Sequence, residues 1–547
     1  MDTRTSLFPS KSDYALVKRT WRGDLLAGIT VGIVALPLAL GFGISSGAGA
    51  EAGLITAIVA GIIAAVFGGS NVQVSGPTGA MVVVLAPIVA SHGVPAVILV
   101  TLMAGIIVVA AGFLRLGKAV SFIPWPVIEG FTLGIGVIIF LQQIPALTGP
   151  GGNLTGHTNV AVSAFLSLIH ADPVYLMWAV AAVLIVVACM VGLPRLHKAI
   201  PGSLVAVIVV SLLAVLIPNP LANIGALPST FPAPTVPALN WELTQSLMVP
   251  AVAVAALAAI ESLLSARVAA SMADTGPYDP DRELVGQGLA SIGAGLFGGM
   301  PATGAIARTA VNVRSGGRTR VAAVFHAVVL LLIVTLFAQP VGFIPLAALS
   351  GVLMVTAARM VNVAIAGSIL RSTRADALAF VVTAIVTVSF DLIVAVVVGM
   401  LLAGVFAIRS YASAAGVHRE DHLPGDAEPG DERIALIVID GPLFFGSADR
   451  VLDEIVKTKD VSVVILRLSR LDTVDATGAN SLVEIVQRLE ARGITVIIKG
   501  LREQHLELFT RIGVISALRH ENHLVADLDA AIVHARSHIC REIAKIA

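Results

Sequence analysis

Long apolar runs broken by short polar stretches fill the first three quarters of the chain, and a different rhythm follows residue 411. Before that point the pattern predicts fourteen membrane segments. They lie at about 24–43, 52–68, 77–91, 94–114, 121–141, 173–192, 202–217, 246–265, 284–297, 303–314, 319–337, 343–365, 375–391 and 392–411. Runs of roughly 17–25 apolar residues have the length at which an α-helix crosses a bilayer. Segments 77–91, 284–297 and 303–314 are too short to span alone. After the polar stretch ASAAGVHREDHLPGDAEPGD, the β-rich runs RIALIVID, VSVVILRL and ITVIIKG alternate with amphipathic stretches, which predicts a small α/β domain. The expected division is a membrane domain over 1–411, a linker over 412–431 and the α/β domain over 432–547.

Charge orients these segments. With the N-terminus in the cytoplasm, Arg115, Lys118, Arg195, Lys198, Arg314, Arg318, Arg320, Arg371 and Arg374 all fall inside. The stretches left outside (44–51, 92–93, 143–172, 218–245 and 338–342) contain no Lys or Arg, as the positive-inside rule requires. Both termini and the α/β domain are therefore expected in the cytoplasm, on a multi-pass protein of the cell (inner) membrane.

Composition agrees. Of 547 residues, 56% are hydrophobic and only 13% charged, with a mean hydropathy of +0.92, which excludes an ordinary soluble protein. A formal net charge of zero gives no reason to expect a nucleic-acid partner. Cys189 and Cys540 are too few for a disulfide framework and read as reduced thiols. The stretch MDTRTSLFPSKSDYALVKRTWRGD has no apolar signal core, so the first membrane segment is expected to direct insertion. No residue set reads as catalytic or metal-binding, no cofactor is implied, and the chain is not expected to be an enzyme.

The candidate chemistry lies in a repeat. FGGSNVQVSGPTGA (67–80) and FGGMPATGA (297–305) place Thr-Gly-Ala at the start of the third and tenth segments. Fourteen segments divide into seven and seven, and seven is odd, so the second half must run inverted. Paired short segments interrupted by Gly and Pro in such halves point to a transporter site. Val72-Gln73-Val74-Ser75 reads as extended chain, with Gly299-Met300-Pro301-Ala302 as its counterpart. Each half-helix would offer free N–H groups and the positive end of its dipole to an anion. Gly79 and Gly304 would let a ligand approach the backbone, and Thr78 and Thr303 would serve as caps or ligand donors. The alternative is that these are packing glycines and helix caps.

Arg308 lies five residues beyond Thr303, about 7.5 Å along a helix. An intramembrane Arg reads as functional, the alternative being a side chain that snorkels to the cytoplasmic surface. In the eighth segment Glu261 is followed one turn later by Ser265, with Arg267 nearby. Glu261 could carry a proton or ligate Na⁺, with Ser265 beside it; it could also neutralise Arg308 or meet solvent at a helix end. Glu129, three residues after Pro126, suits a structural or gating role.

These residues carry a resemblance. GITVGIVALPLALGFGISSG, NVQVSGPTGAMVVV and ATGAIARTAVNVRSGGRTR, together with the C-terminal domain, resemble the SulP family of anion transporters. The resemblance implies two inverted seven-segment repeats divided into a core and a gate, a cytoplasmic STAS domain, and homodimers that work by an elevator-like motion. It implies an anion site at Thr78, Gly79, Ala80, Thr303, Gly304, Ala305 and Arg308, with Phe42 as the family's aromatic there. Many members have Gln after the proline of the first segment, whereas Leu38 follows Pro37 here, which weakens an assignment to sulfate. The run PATGAIARTAVNVR looks more like bacterial relatives, some of which move dicarboxylates.

VIDGPLFFGSADR matches STAS segments, and the loop Asp475-Ala476-Thr477-Gly478 stands where phosphorylated relatives have Asp-Ser-Ser-Gly. Ala476 cannot be phosphorylated; Asp475 or Thr477 is expected to cap a helix. The expected function is secondary active transport of sulfate, bicarbonate or a C4-dicarboxylate with H⁺ or Na⁺. The alternatives are a passive anion channel, a nucleobase permease-like carrier and a protein whose STAS domain is regulatory.

Overall fold

The computed structural model describes residues 7–118, 123–149, 159–196, 200–227, 231–235, 237, 240–272, 276, 278–390, 392–420, 422–424, 426–457 and 460–546. Lys198 lies outside them. The chain divides into two compact units, Met1–Met400 and Leu401–Ala547.

Each of the fourteen expected segments is a helix: α1 (Val17–Ser45), α2 (Ala50–Phe67), α3 (Gly79–His92), α4 (Pro95–Phe113), α5 (Trp125–Gln142), α6 (Pro173–Leu196), α7 (Gly202–Leu216), α8 (Met248–Met272), α9 (Pro280–Leu296), α10 (Ile306–Arg314), α11 (Arg320–Gly342), α12 (Leu346–Met360), α13 (Arg374–Ser389) and α14 (Leu392–Ser413). Among the described residues, nine helices are long and apolar enough to cross a membrane. α3, α9 and α10 are short, as expected. Three expectations need correction. The run at 343–365 is broken, because α12 ends at Met360 and Asn362 caps a second helix, Val363–Leu370. The stretch 143–172 holds a helix, Val160–Ile169, capped by Asn159. α9 begins earlier than expected, because Asp279 accepts the N–H groups of Asp281 and Arg282 and Pro280 fills the first turn.

The packing is itself two-fold. α1 lies against α11 and α8 against α4; α5 lies against α13 and α12 against α6. Shifting each index by seven turns one member of each pair of contacts into the other, which is what two inverted repeats require. α1–α4 with α8–α11 form one group of helices, and α5–α7 with α12 and α13 form another. Small residues allow the close crossings. A Cβ at Gly105 of α4 would lie 2.8 Å from the Gly288 carbonyl of α9, and one at Gly130 of α5 would lie 2.4 Å from the Phe380 carbonyl of α13.

In the second unit the strands are β3 (Gly416–Glu420), β4 (Ile434–Leu443), β5 (Val463–Arg467), β6 (Leu471–Val474), β7 (Thr495–Lys499) and β8 (Leu524–Val525); the two-residue strands β1 (Ser75–Gly76) and β2 (Thr303–Gly304) belong to the membrane unit. The order is β3-β4-β5-β7-β8, with β6 on β4; β3 is antiparallel and the other pairs are parallel. Four helices complete the domain: α15 (Ala448–Val456), α16 (Ala476–Ala491), α17 (Glu503–Ile512) and α18 (Leu528–Ile546). The runs read as β-rich become β4, β5 and β7, buried along nearly their whole length, as parallel strands covered on both faces are. β3 falls inside the stretch expected to be a linker, so 412–431 is not wholly a linker. With Val417 as its one apolar side chain, this five-residue strand does not stand out among the charges around it. Asp475 caps α16 as expected, accepting the Gly478 N–H at 2.7 Å.

Candidate functional site

The two Gly/Pro breaks meet. Ser75–Gly76 (β1) pairs antiparallel with Thr303–Gly304 (β2), Ser75 opposite Gly304 and Gly76 opposite Thr303. Strands that run oppositely feed helices that depart oppositely, so α3 and α10 leave this pair in opposite directions. The paired strands thus begin and end one to four residues later than the sequence pattern suggests, and in the second half they include Thr303 itself.

Backbone outside helices at membrane depth must find partners within the protein. It does so by exchange between the halves. The Ala305 N–H donates to the Val74 carbonyl (2.9 Å), the Val74 N–H to Thr309 Oγ1 (3.0 Å) and Asn312 Nδ2 to the Val72 carbonyl (2.8 Å). Thr56, in a π-helical turn of α2 (Thr56–Ala60), accepts the Met300 N–H at 2.7 Å. The Gly304 N–H donates to Ser262 Oγ at 3.1 Å. Glu283 of α9 accepts the N–H groups of Gly69 and Ser70 at 2.8 and 3.1 Å. Gln287 bridges Glu283 to the Ser75 hydroxyl, and Arg320 donates to the Gly68 carbonyl.

Neither half-helix has a capping side chain. Thr78 occupies the N-cap of α3 with extended backbone, but its hydroxyl makes no cap hydrogen bond, and Ala305 at the N-cap of α10 has none to offer. Of the two roles left open for Thr78 and Thr303, cap or ligand donor, capping is not the one their hydroxyls take. Their hydroxyls turn instead to Glu261 of α8. Glu261 Oε2 lies 2.7 Å from Thr78 Oγ1 and 2.9 Å from Thr303 Oγ1, and the two hydroxyls are 2.9 Å apart. One half-buried carboxylate thus joins the starts of both half-helices, and the first-turn N–H groups are left without a side-chain acceptor.

Arg308 is 2% exposed, so it does not snorkel. Its Nη2 donates to the Pro77 carbonyl at 2.6 Å, while Nη1 is buried without a hydrogen-bond partner among the described residues. Arg308 and Glu261 make no direct ion pair, yet each lies within the other's electrostatic reach, so Glu261 also balances the buried guanidinium. Ser265 is also elsewhere: its hydroxyl faces Thr309 Oγ1 at 3.5 Å rather than the Glu261 carboxylate. The two glycines also make room for protein side chains. A Cβ at Gly304 would lie 1.7 Å from Gln73 Nε2, and one at Gly79 would lie 2.2 Å from Ile139 Cδ1 and 3.4 Å from Phe42 Cε1. Phe42 and Ala80 are buried beside Gly79, and Glu129 accepts the Trp125 indole N–H at 3.0 Å, away from this cluster.

A family model described as the sulfate permease family matches residues 21–383, and one for the STAS domain matches 428–531. The chain belongs to the sulfate permease family. It is 36% identical to YvdB of Bacillus subtilis over 498 residues, covering 90% of this chain and 93% of that one. It is 30% identical to the bicarbonate transporter BicA of Picosynechococcus over 528 residues, with 90% and 92% covered. Among solved structures, SLC26A9 superposes with a TM-score of 0.81 at 16% identity, covering 96% of this chain and 92% of that one, a likeness of fold. Relatives of this family chain are transporters, not enzymes.

Sequence reasoning missed Gln73, Ser262, Thr309 and Glu283, which hold the crossing in place. Glu283 was legible: Asp279-Pro280 is a helix-start signature that would have brought it into the ninth segment. The others are ordinary polar residues whose partners lie far away in sequence, across the two halves for Gln73 and Thr309, and nothing local marks them.

Proposed function

We propose that the chain is a secondary active transporter that moves a small oxyanion (sulfate, bicarbonate or a C4-dicarboxylate) with H⁺ or Na⁺. The anion is held between the first turns of α3 and α10, by Thr78, Gly79, Ala80, Thr303, Gly304, Ala305 and the charge of Arg308, with Phe42 alongside. The coupling cation binds at Glu261. The observation that carries this reading is the shared contact of Glu261 with Thr78 and Thr303.

The chemistry follows from that sharing. An ionised Glu261 occupies both hydroxyls and repels a second negative charge. Binding of H⁺ or Na⁺ removes the repulsion and releases donors at the same two half-helix starts. Anion and cation then bind better together than singly, and by linkage each favours the other. Coupling is needed, because each negative charge moved inward against a membrane potential costs about 2.3 kcal/mol per 100 mV. The family's description and the name of BicA support an oxyanion substrate. The two groups of helices support an elevator-like motion of α1–α4 with α8–α11, and the charge pattern supports a cytoplasmic STAS domain; we assign the protein to the cell membrane as a homodimer.

The test is uptake of labelled sulfate, bicarbonate and succinate into liposomes holding the purified protein, with pH and Na⁺ gradients varied separately. Accumulation of one anion driven by one gradient is expected. Currents that follow the anion's own gradient alone would overturn it.

A further inference from the structure

The last helix of the α/β domain carries His534 and His538 one turn apart, on the same face of α18. Both meet His523, which ends a short 3₁₀ turn, Glu521–His523, leading into β8. The three rings pack edge to face, with centroids 5.0–5.4 Å apart and planes inclined by 65–78°. One ring nitrogen of each lies within 4.8 Å of those of the other two. His523 is 1% exposed. Its Nδ1 and the Nε2 atoms of His534 and His538 are buried with no hydrogen-bond partner among the described residues. Three buried nitrogens without partners, converging from two elements, call for one shared partner.

We propose that His523, His534 and His538 bind a first-row divalent metal ion of the Zn²⁺, Ni²⁺ or Cu²⁺ class. Imidazole donors suit these ions, whereas Ca²⁺ and Mg²⁺ require oxygen ligands, of which the trio has none. Three protein ligands leave a fourth position for water or for His520, whose ring centroid lies 5.9 Å from that of His523. Tetrahedral binding at 2.0–2.1 Å separates ligand nitrogens by about 3.3 Å, so modest ring rotations complete the site. The nearby positive groups are Arg519 and Arg541. Arg519 is paired with Glu490, and Arg541 turns to the Ser537 carbonyl. The ion would tie α18 to the turn before β8, fastening the last helix to the sheet edge.

The experiment uses the tag-free full-length chain in detergent, stripped with chelator and titrated with ZnCl₂, NiCl₂ or CoCl₂. One ion per chain is expected, with the intense visible absorption of tetrahedral Co²⁺ and a raised melting temperature. His534→Gln and His538→Gln, on the partly exposed face of a helix, should each weaken binding by at least the roughly 10–100-fold that loss of an outer-shell partner costs. Circular dichroism checks that both variants remain folded. Substoichiometric binding by the wild type would overturn the proposal, as would equal affinity in the folded variants.

Discussion

The hydroxyls of Thr78 and Thr303 lie 2.9 Å apart across 225 residues of sequence. Each lies in the non-helical approach to its own half-helix, and each also touches Glu261 Oε2. Two hydroxyl hydrogens serve three contacts, so the charge on Glu261 decides how they are arranged. The two halves of the membrane domain are joined chemically at the point where the proposed anion sits.

Arg308→Ala should leave a folded protein that binds anion at least about tenfold more weakly, or roughly 1.4 kcal/mol. The reason is the charge of a buried guanidinium with one nitrogen unpartnered, next to the Pro77 carbonyl. Arg308→Lys should recover part of the loss, because it keeps the charge without the planar fork. Anion titration by calorimetry measures both; unchanged affinity in folded Arg308→Ala would make the residue purely structural.

Gly304→Ala should be poorly tolerated because of Gln73, not because a ligand is excluded. The new methyl would meet the Gln73 amide at 1.7 Å. Overpacking of this kind costs about 1–3 kcal/mol. Adding Gln73→Ala should restore much of the lost stability, measured by thermal unfolding in detergent. If the double variant is no better than the single, the clash is not the cause.

The fourteen segments were legible because membrane helices announce themselves by length and apolarity, and the inversion followed from an odd half. The site was legible only at its repeated parts. Thr78, Thr303 and Glu261 stood out as a motif and a lone acid, and the structure brings them together. Ser265 lies one turn from Glu261 on α8, but its hydroxyl turns to Thr309 of the tenth segment, a partner that helical spacing cannot name. Gly79 and Gly304 were read as room for a ligand, yet what fills that room, Ile139 and Gln73, comes from distant sequence. β3 escaped because a five-residue edge strand gains its identity from pairing with β4.

That strand sets where the chain can be cut. A protein ending at Ser413 should remain folded, run as a single species on size exclusion and bind anion, since every residue of the proposed site precedes it. One ending at Asp431 keeps Gly416–Glu420 without β4 and presents an unpaired strand, so it should aggregate more. Complete loss of anion binding by the folded Ser413 form would contradict the location of the site.

The central claim is that Glu261 carries the coupling cation, and Glu261→Gln tests it most directly. Glutamine keeps the size and an oxygen acceptor for Thr78 and Thr303 but cannot take up a proton or balance Na⁺. Gradient-driven accumulation and equilibrium exchange of labelled anion should be measured side by side in the same liposomes. The account predicts that accumulation collapses to the level set by the anion's own gradient while exchange survives. Accumulation at the wild-type level by the glutamine variant would contradict it.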